Sequence, residues 1–173
     1  ASRLPEAEQL AAKVYRDASA SGVHFAAGAG AQMLGMIALD AGRIADARRW
    51  LGEAVTLLGS ADLVGFLSLS WSSLARAHAL SPDPDRESRP MAVEAAAAQE
   101  AAEQALSASR RSWAPQVEVG RAWVALAEGR HTEARALALE SAEAAAKVGF
   151  HTVALNAAHD ALRLGARRPA HAL

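Results

Sequence analysis

The sequence predicts an all-α protein, a helical solenoid of about eight helices, and three observations carry that expectation. Alanine is abundant while aromatic residues make up only 5% of the chain, a balance that favours close-packed helices over sheets, which want β-branched and aromatic side chains. Small residues recur at helical spacing, most clearly in Leu34, Gly35, Ala38, Gly42, Ala47, Leu51 and Ala54. Glycine or alanine is needed where two helix backbones approach closely, and Gly42 suits the turn between them. Finally, Gly42, Pro82, Gly129 and Gly165 fall 40, 47 and 36 residues apart, the rhythm of a repeated helix hairpin.

Each element follows from local chemistry. Pro5, followed by Glu6 and Glu8, opens a first helix to about Ser19 with Gly22 as its stop, because proline lacks only an N–H that would be orphaned and acids suit the positive helix end. A second helix runs from about Val23 to Ala41 and ends at Gly42, and a third from about Ile44 to Leu58 ends at Gly59. Ser60 or Asp62 can cap a fourth, carrying Phe66, Leu69, Leu74 and Ala77 to about Leu80. Pro82 and Pro84 stop it and open an exposed loop over 81–89, the segment expected to be least ordered. Pro90 starts an alanine-rich fifth helix to about Ser109, Ser112 caps a sixth to about Glu128, and Thr132 caps a seventh to Val148. An eighth runs from about His151 to Leu164 and stops at Gly165. Residues seven and four before the aligned turns are small (Gly35 and Ala38, Ala75, Ala122 and Ala125, Ala158 and Ala161), with His78 the one exception.

Composition excludes several function classes. Eighteen basic and nineteen acidic residues leave a net charge of −1, so no global field draws a nucleic-acid backbone or an anionic membrane, and no direct nucleic-acid binding by this segment is expected. The chain has no cysteine, which removes disulfides, thiolate nucleophiles and cysteine-based zinc sites together and fits a cytoplasmic home. No stretch approaches the roughly eighteen uninterrupted apolar residues a membrane span needs, and no basic segment leads an apolar run at the start. Residues 1–165 read as one repeat domain and 166–173, with Arg167, Arg168 and Pro169, as a basic tail or linker; lacking an initial methionine, the chain reads as an excised piece of something longer.

The order Leu34, Gly35, Ala38, Gly42, Ala47, Leu51, Ala54 resembles the tetratricopeptide repeat, with Ala38 where an aromatic is common and Gly59 where a proline is common. The other units match only in part. Their longer steps, and the phrases from Gly120 to Arg130 and from Ala157 to Gly165, resemble the repeat region of large ATP-binding transcriptional regulators of the LuxR type, the MalT-like regulators. That resemblance implies a right-handed superhelix of antiparallel helix hairpins and a sensing role. The repeats would receive a small-molecule inducer or a protein partner and pass that state to a nucleotide-binding module before them and a helix-turn-helix after them. Neither flank is in this sequence: no G-x-x-x-x-G-K-[ST] loop occurs, and Gly28-Ala-Gly30 sits inside a helical pattern without the lysine.

If Gly35, Ala75, Ala122 and Ala158 face the packing seam, then Met36, Arg76, Trp123 and His159, each one residue on, point toward a concave face, with Gln32 and Arg163 on the same stripe. A groove of guanidinium, indole, imidazole and amide groups suits a sugar or aromatic ring with polar substituents. The competing reading makes Trp123 core filling and Arg76 and Arg163 solvated surface. Trp71 reads as core, while Trp50 beside Arg48 and Arg49 reads as exposed.

Neither the six histidines nor the scattered acids form a metal-binding or acid–base pattern, and His159-Asp160 is only an adjacent pair whose side chains diverge. The expectation is therefore a non-catalytic protein with no cofactor and no metal. A free-standing scaffold that docks a peptide or protein is the alternative, a small helical enzyme the third. A homodimer through the apolar flank of the last helix, at Leu155, Leu162 and Leu164, is a further expectation.

Overall fold

Gly42 shows how the chain is folded back on itself. Its φ is +73°, its N–H donates to the Leu39 carbonyl and the Arg43 N–H to the Ala38 carbonyl. This is the paired hydrogen-bond stop that a left-handed residue makes possible at a helix C-terminus. The same pairing recurs at Gly22, Gly129, Gly149 and Gly165. At four of the five, the residue after the glycine (Val23, Arg43, Arg130 and Phe150) is also the N-cap of the next helix. The connections are therefore three residues long, and consecutive helices must run antiparallel.

The computed structural model describes residues 3–59, 65–81, 89–106 and 113–166. Among these, the chain forms eight helices and no strand: α1 (Leu4–Ala20), α2 (His24–Asp40), α3 (Ile44–Leu58), α4 (Phe66–Ala79), α5 (Arg89–Ala105), α6 (Ala114–Ala127), α7 (His131–Lys147) and α8 (His151–Arg163). The glycine-stopped ends fall within one residue of those read from the sequence. The Ser60, Asp62 and Ser112 caps, most of the 81–89 loop and the tail beyond 166 lie outside the described residues. Three local expectations are corrected. The fifth helix ends at Ala105 and Leu106 is no longer helical, so it stops short of the expected end near Ser109. The N-cap of α7 is Arg130, since the glycine turn starts the helix there and places Thr132 inside the first turn, where its hydroxyl accepts from Arg135 Nη2 at 3.2 Å. Gly59 keeps right-handed geometry at φ −54°, so α3 ends without a left-handed stop.

Each helix packs on its neighbours in sequence, and the even-numbered helices also touch in succession, α2 on α4, α4 on α6 and α6 on α8. The core between them is thin. Ala47, Ala54, Ala75, Ala77, Ala122, Ala134, Ala138 and Ala161 are fully buried, and the largest fully buried side chains are only Leu51, Leu58, Val117, Ser68 and Ser70. The serines are admitted because Ser68 and Ser70 return their hydroxyls to the Gly65 and Phe66 carbonyls, both at 2.8 Å.

Four glycines, Gly28, Gly30, Gly35 and Gly120, set the closest approaches. A Cβ on Gly30 would stand 2.8 Å from the Tyr15 backbone nitrogen, and one on Gly35 2.5 Å from Leu51 Cγ; the Gly28-Ala-Gly30 cluster is thus a packing surface between α1 and α3. Gly120 faces a polar knot in which Ser72 Oγ and Gln99 Nε2 both donate to the Val117 carbonyl, at 3.1 and 3.0 Å. Any Cβ there would overlap Gln99 Oε1 and Ser72 Oγ.

His78, the exception in the small-residue pattern, is mostly buried, with Nδ1 2.9 Å from Glu94 Oε2. Burial pushes its pKa down, the Glu94 charge opposes this, and the Arg48 charge adds to the lowering.

Two predictions follow from this packing. Gly30→Ala, pressed on backbone that cannot yield, should lose roughly 1–3 kcal/mol. Gly52→Ala, with nothing within 4 Å of the new methyl, should gain up to about 1 kcal/mol from helix propensity; urea unfolding of both variants measures the contrast. For His78 the folded pKa lies below the ordinary value of 6.5, so the unfolded chain binds more protons in that window and stability must fall as pH drops through it. His78→Gln should flatten the slope of stability against pH just below 6.5.

Candidate functional site

Three of the even-numbered helices contribute to one polar cluster. On α4 and α6 the buried alanines Ala75 and Ala122 lie in the packing seam, and the next residues, Arg76 and Trp123, turn toward α8. On α8 the stripe Ala154, Ala157, Ala158 and Ala161 is buried. Asp160, three residues after Ala157 and one before Ala161, shares that inward face.

The geometry joins all three groups. Arg76 Nη2 donates to Asp160 Oδ1 at 3.3 Å and Trp123 Nε1 to Asp160 Oδ2 at 3.2 Å. The Arg76 guanidinium carbon stands 4.9 Å from the centroid of the Trp123 ring, a cation–π arrangement. Trp123 is 2% exposed and Asp160 4%, while the Arg76 side chain keeps 20% exposure and its Nε is buried without a partner. Burial pushes the Asp160 carboxyl above its ordinary pKa, against the Arg76 charge, the Trp123 hydrogen bond and the charges of Arg163 and His159. The carboxylate is thus held in a place that disfavours its charge, and Arg76 is its principal compensation.

The six residues singled out from the sequence divide into two groups. Arg76 and Trp123 meet directly; His159 and Arg163 stand exposed on α8 and reach the cluster through their charges on Asp160. Gln32 and Met36 take no part in it. Gln32 is buried and donates from Nε2 to the Phe66 carbonyl at 3.4 Å, tying α2 to the start of α4. Met36 is 48% exposed on α2, close to the equally exposed Met33. Asp160 itself was missed, because adjacency to His159 hid its membership of the alanine stripe. Trp71 packs on the core and Trp50 is half-buried edge-on to Tyr15.

On α8 the exposed side chains include His159, Arg163, Leu155 and Leu162, the last two among the most exposed apolar side chains. Leu164 is half-buried against α6 and α7 instead. Among the described residues no group of three or more imidazoles and carboxylates is placed to hold a metal ion, and no helix is long and apolar enough to cross a membrane.

A double-mutant cycle checks the energetics. Arg76→Ala should cost roughly 2–4 kcal/mol by leaving Asp160 buried without its cation, Asp160→Asn less, and the double variant less than the sum, with a coupling of about 1 kcal/mol or more in urea unfolding. Since the folded Asp160 pKa is raised, its contribution falls as pH rises from the ordinary carboxylate value through the raised one; Asp160→Asn should remove that decline. Comparison of the chain with protein-family models, with curated proteins and with solved structures finds no match, so what this cluster does is argued from its own geometry.

Proposed function

We propose that this chain is a non-catalytic sensor or interaction segment, built as a tetratricopeptide-like α-solenoid, of a bacterial LuxR-type transcriptional regulator. In this reading α2, α4, α6 and α8 are the first helices of successive hairpins and line one face, which receives an inducer or a protein partner in the cytoplasm. The observation that carries it is the succession of contacts along the even-numbered helices, crossed by the Arg76, Trp123 and Asp160 cluster. A face whose helices are bound to one another by long polar side chains is suited to passing a local change along the array. ATP hydrolysis and DNA binding belong to other parts of such a regulator.

A second reading, a free-standing scaffold for a peptide or helix, draws on the exposed Met33, Met36, Leu155 and Leu162. Methionine and leucine at helical spacing suit an amphipathic partner helix. The same Leu155 and Leu162 serve equally for pairing two copies.

The first test is the gene on either side of this segment. A phosphate-binding loop upstream and a helix-turn-helix downstream are expected; start and stop codons closely flanking the segment would leave the scaffold reading instead. The second is a thermal-shift screen of small molecules beside a peptide array. A bound ligand should raise the melting temperature in proportion to its saturation. Replacing the exposed pair, His159→Ala with Arg163→Ala, takes part of the electrostatic support from Asp160 and should lower the unliganded melting temperature by no more than about 4 °C, while weakening binding about tenfold or more. Undiminished affinity in that variant would remove this face from the proposal.

A further inference from the structure

We propose that a crevice between α1, the α1–α2 turn and α3 is a binding site for an alkylammonium group, held by Glu53 and Tyr15. This site is separate from the cluster on α4, α6 and α8, and it stands whether or not the reading of that cluster holds.

The crevice has a volume of about 230 Å³. Ala18, Ala27 and Leu57 supply apolar wall, the Tyr15 hydroxyl and the Glu53 carboxylate supply a polar end, and Ser19 and the His24 imidazole also line the crevice. Tyr15 donates to Glu53 Oε1 at 3.2 Å. Its ring is fixed by an edge-to-face contact with Trp50, centroids 5.1 Å apart, within the cluster built on Ala31, Ala54 and Leu58. Both polar groups therefore stand in defined positions before any ligand arrives.

Their charge is not balanced. Among the described residues Glu53 has the Tyr15 hydroxyl as hydrogen-bond donor and no ion-pair partner, although it is half-buried. Arg49, one helical turn earlier, makes its contacts elsewhere, its guanidinium carbon 4.2 Å from the Trp50 ring centroid and Nη2 4.0 Å from Asp46 Oδ1, so that its charge reaches the Tyr15 hydroxyl without an ion pair to Glu53. Burial and then the Glu53 hydrogen bond and charge push the Tyr15 hydroxyl pKa up, against a Ser19 hydrogen bond and the Arg49 charge, which lower it. A half-buried carboxylate with one donor and no cation is an acceptor awaiting charge.

The geometry also selects the kind of cation. One Glu53 oxygen is engaged by Tyr15, which leaves a single oxygen free and removes the bidentate seat a guanidinium prefers; a compact ammonium needs only one carboxylate oxygen and can add the tyrosine oxygen as second acceptor. At about 30 Å³ per water-sized element, the crevice has room for an ammonium and a chain of several carbons. Such a group comes either as a free alkylamine or as the lysine side chain of a peptide.

Solution NMR on the full chain, following the Tyr15 ring resonances, distinguishes these. The titrants are n-butylammonium chloride, the blocked tripeptide Gly-Lys-Gly, n-butanol and sodium butyrate. Saturable shifts with n-butylammonium in the millimolar range are expected, none with butyrate, and at least tenfold weaker binding in Glu53→Gln. Binding of the small amine and the peptide alike assigns an open ammonium site; binding of the tripeptide alone assigns a lysine-bearing partner. If Glu53→Gln does not fold, Tyr15→Phe, which keeps the ring, replaces it, is followed through Trp50, and is expected to weaken binding at least threefold. Equal saturation by n-butanol, absence of a saturable shift from both ammonium probes, or unchanged affinity in the folded variants would overturn the site.

Discussion

Neighbouring helices in this chain meet across alanine and glycine, and that closeness governs what else the fold can hold. A core of Ala47, Ala54, Ala75, Ala122, Ala138 and Ala161 leaves little thickness between backbones, so dispersion is gained by near approach and not by large side chains. The cost is sensitivity to any added atom where no small neighbour can move, as at Gly30 against the Tyr15 backbone. The benefit is reach. With helices this close, an arginine on α4 spans α6 to a carboxylate on α8, and Gln99 and Ser72 from two helices meet at one carbonyl of a third.

Much of the fold was legible because its stops are chemical. A left-handed glycine followed at once by the next N-cap allows one way for the chain to return, and the helix ends at Gly22, Gly42, Gly129, Gly149 and Gly165 could be read from the letters. Cap residues were less legible. Serine and threonine near a helix start are the ordinary signal, yet here the turn itself fixes the start, so Val23, Arg43, Arg130 and Phe150 hold the N-cap position without a side-chain bond.

The two sites differ in the same respect. Arg76 and Trp123 were visible as large residues in an alanine-rich seam, and Asp160 was recoverable from its spacing to Ala154, Ala157 and Ala161. No such pattern marks Glu53 and Tyr15, which lie 38 residues apart on helices that are not consecutive. Their pairing depends on how closely α1 and α3 flank the amino end of α2, a distance set by Gly28 and Gly30, and the charge imbalance emerges only when Arg49 is seen to turn toward Trp50.

The electrostatics of Asp160 give a relay a physical basis. A ligand shifts a conformational equilibrium only through contacts that differ between states, and in the proposed sensor α8 would be the place for such a difference. Its polar tie to α4 runs through a carboxylate disfavoured by burial and sustained by Arg76, the Trp123 N–H and the charges of Arg163 and His159. The last two are exposed, on the face where a ligand would arrive. An anionic group that bound them would withdraw part of that support from Asp160 without touching it, and the link across α6 would weaken. A ligand that engaged only Leu155 and Leu162 would leave the link intact. In the proposed sensor, the identity of the ligand's charged group, more than its affinity, would therefore decide whether occupancy of this face is transmitted along the array.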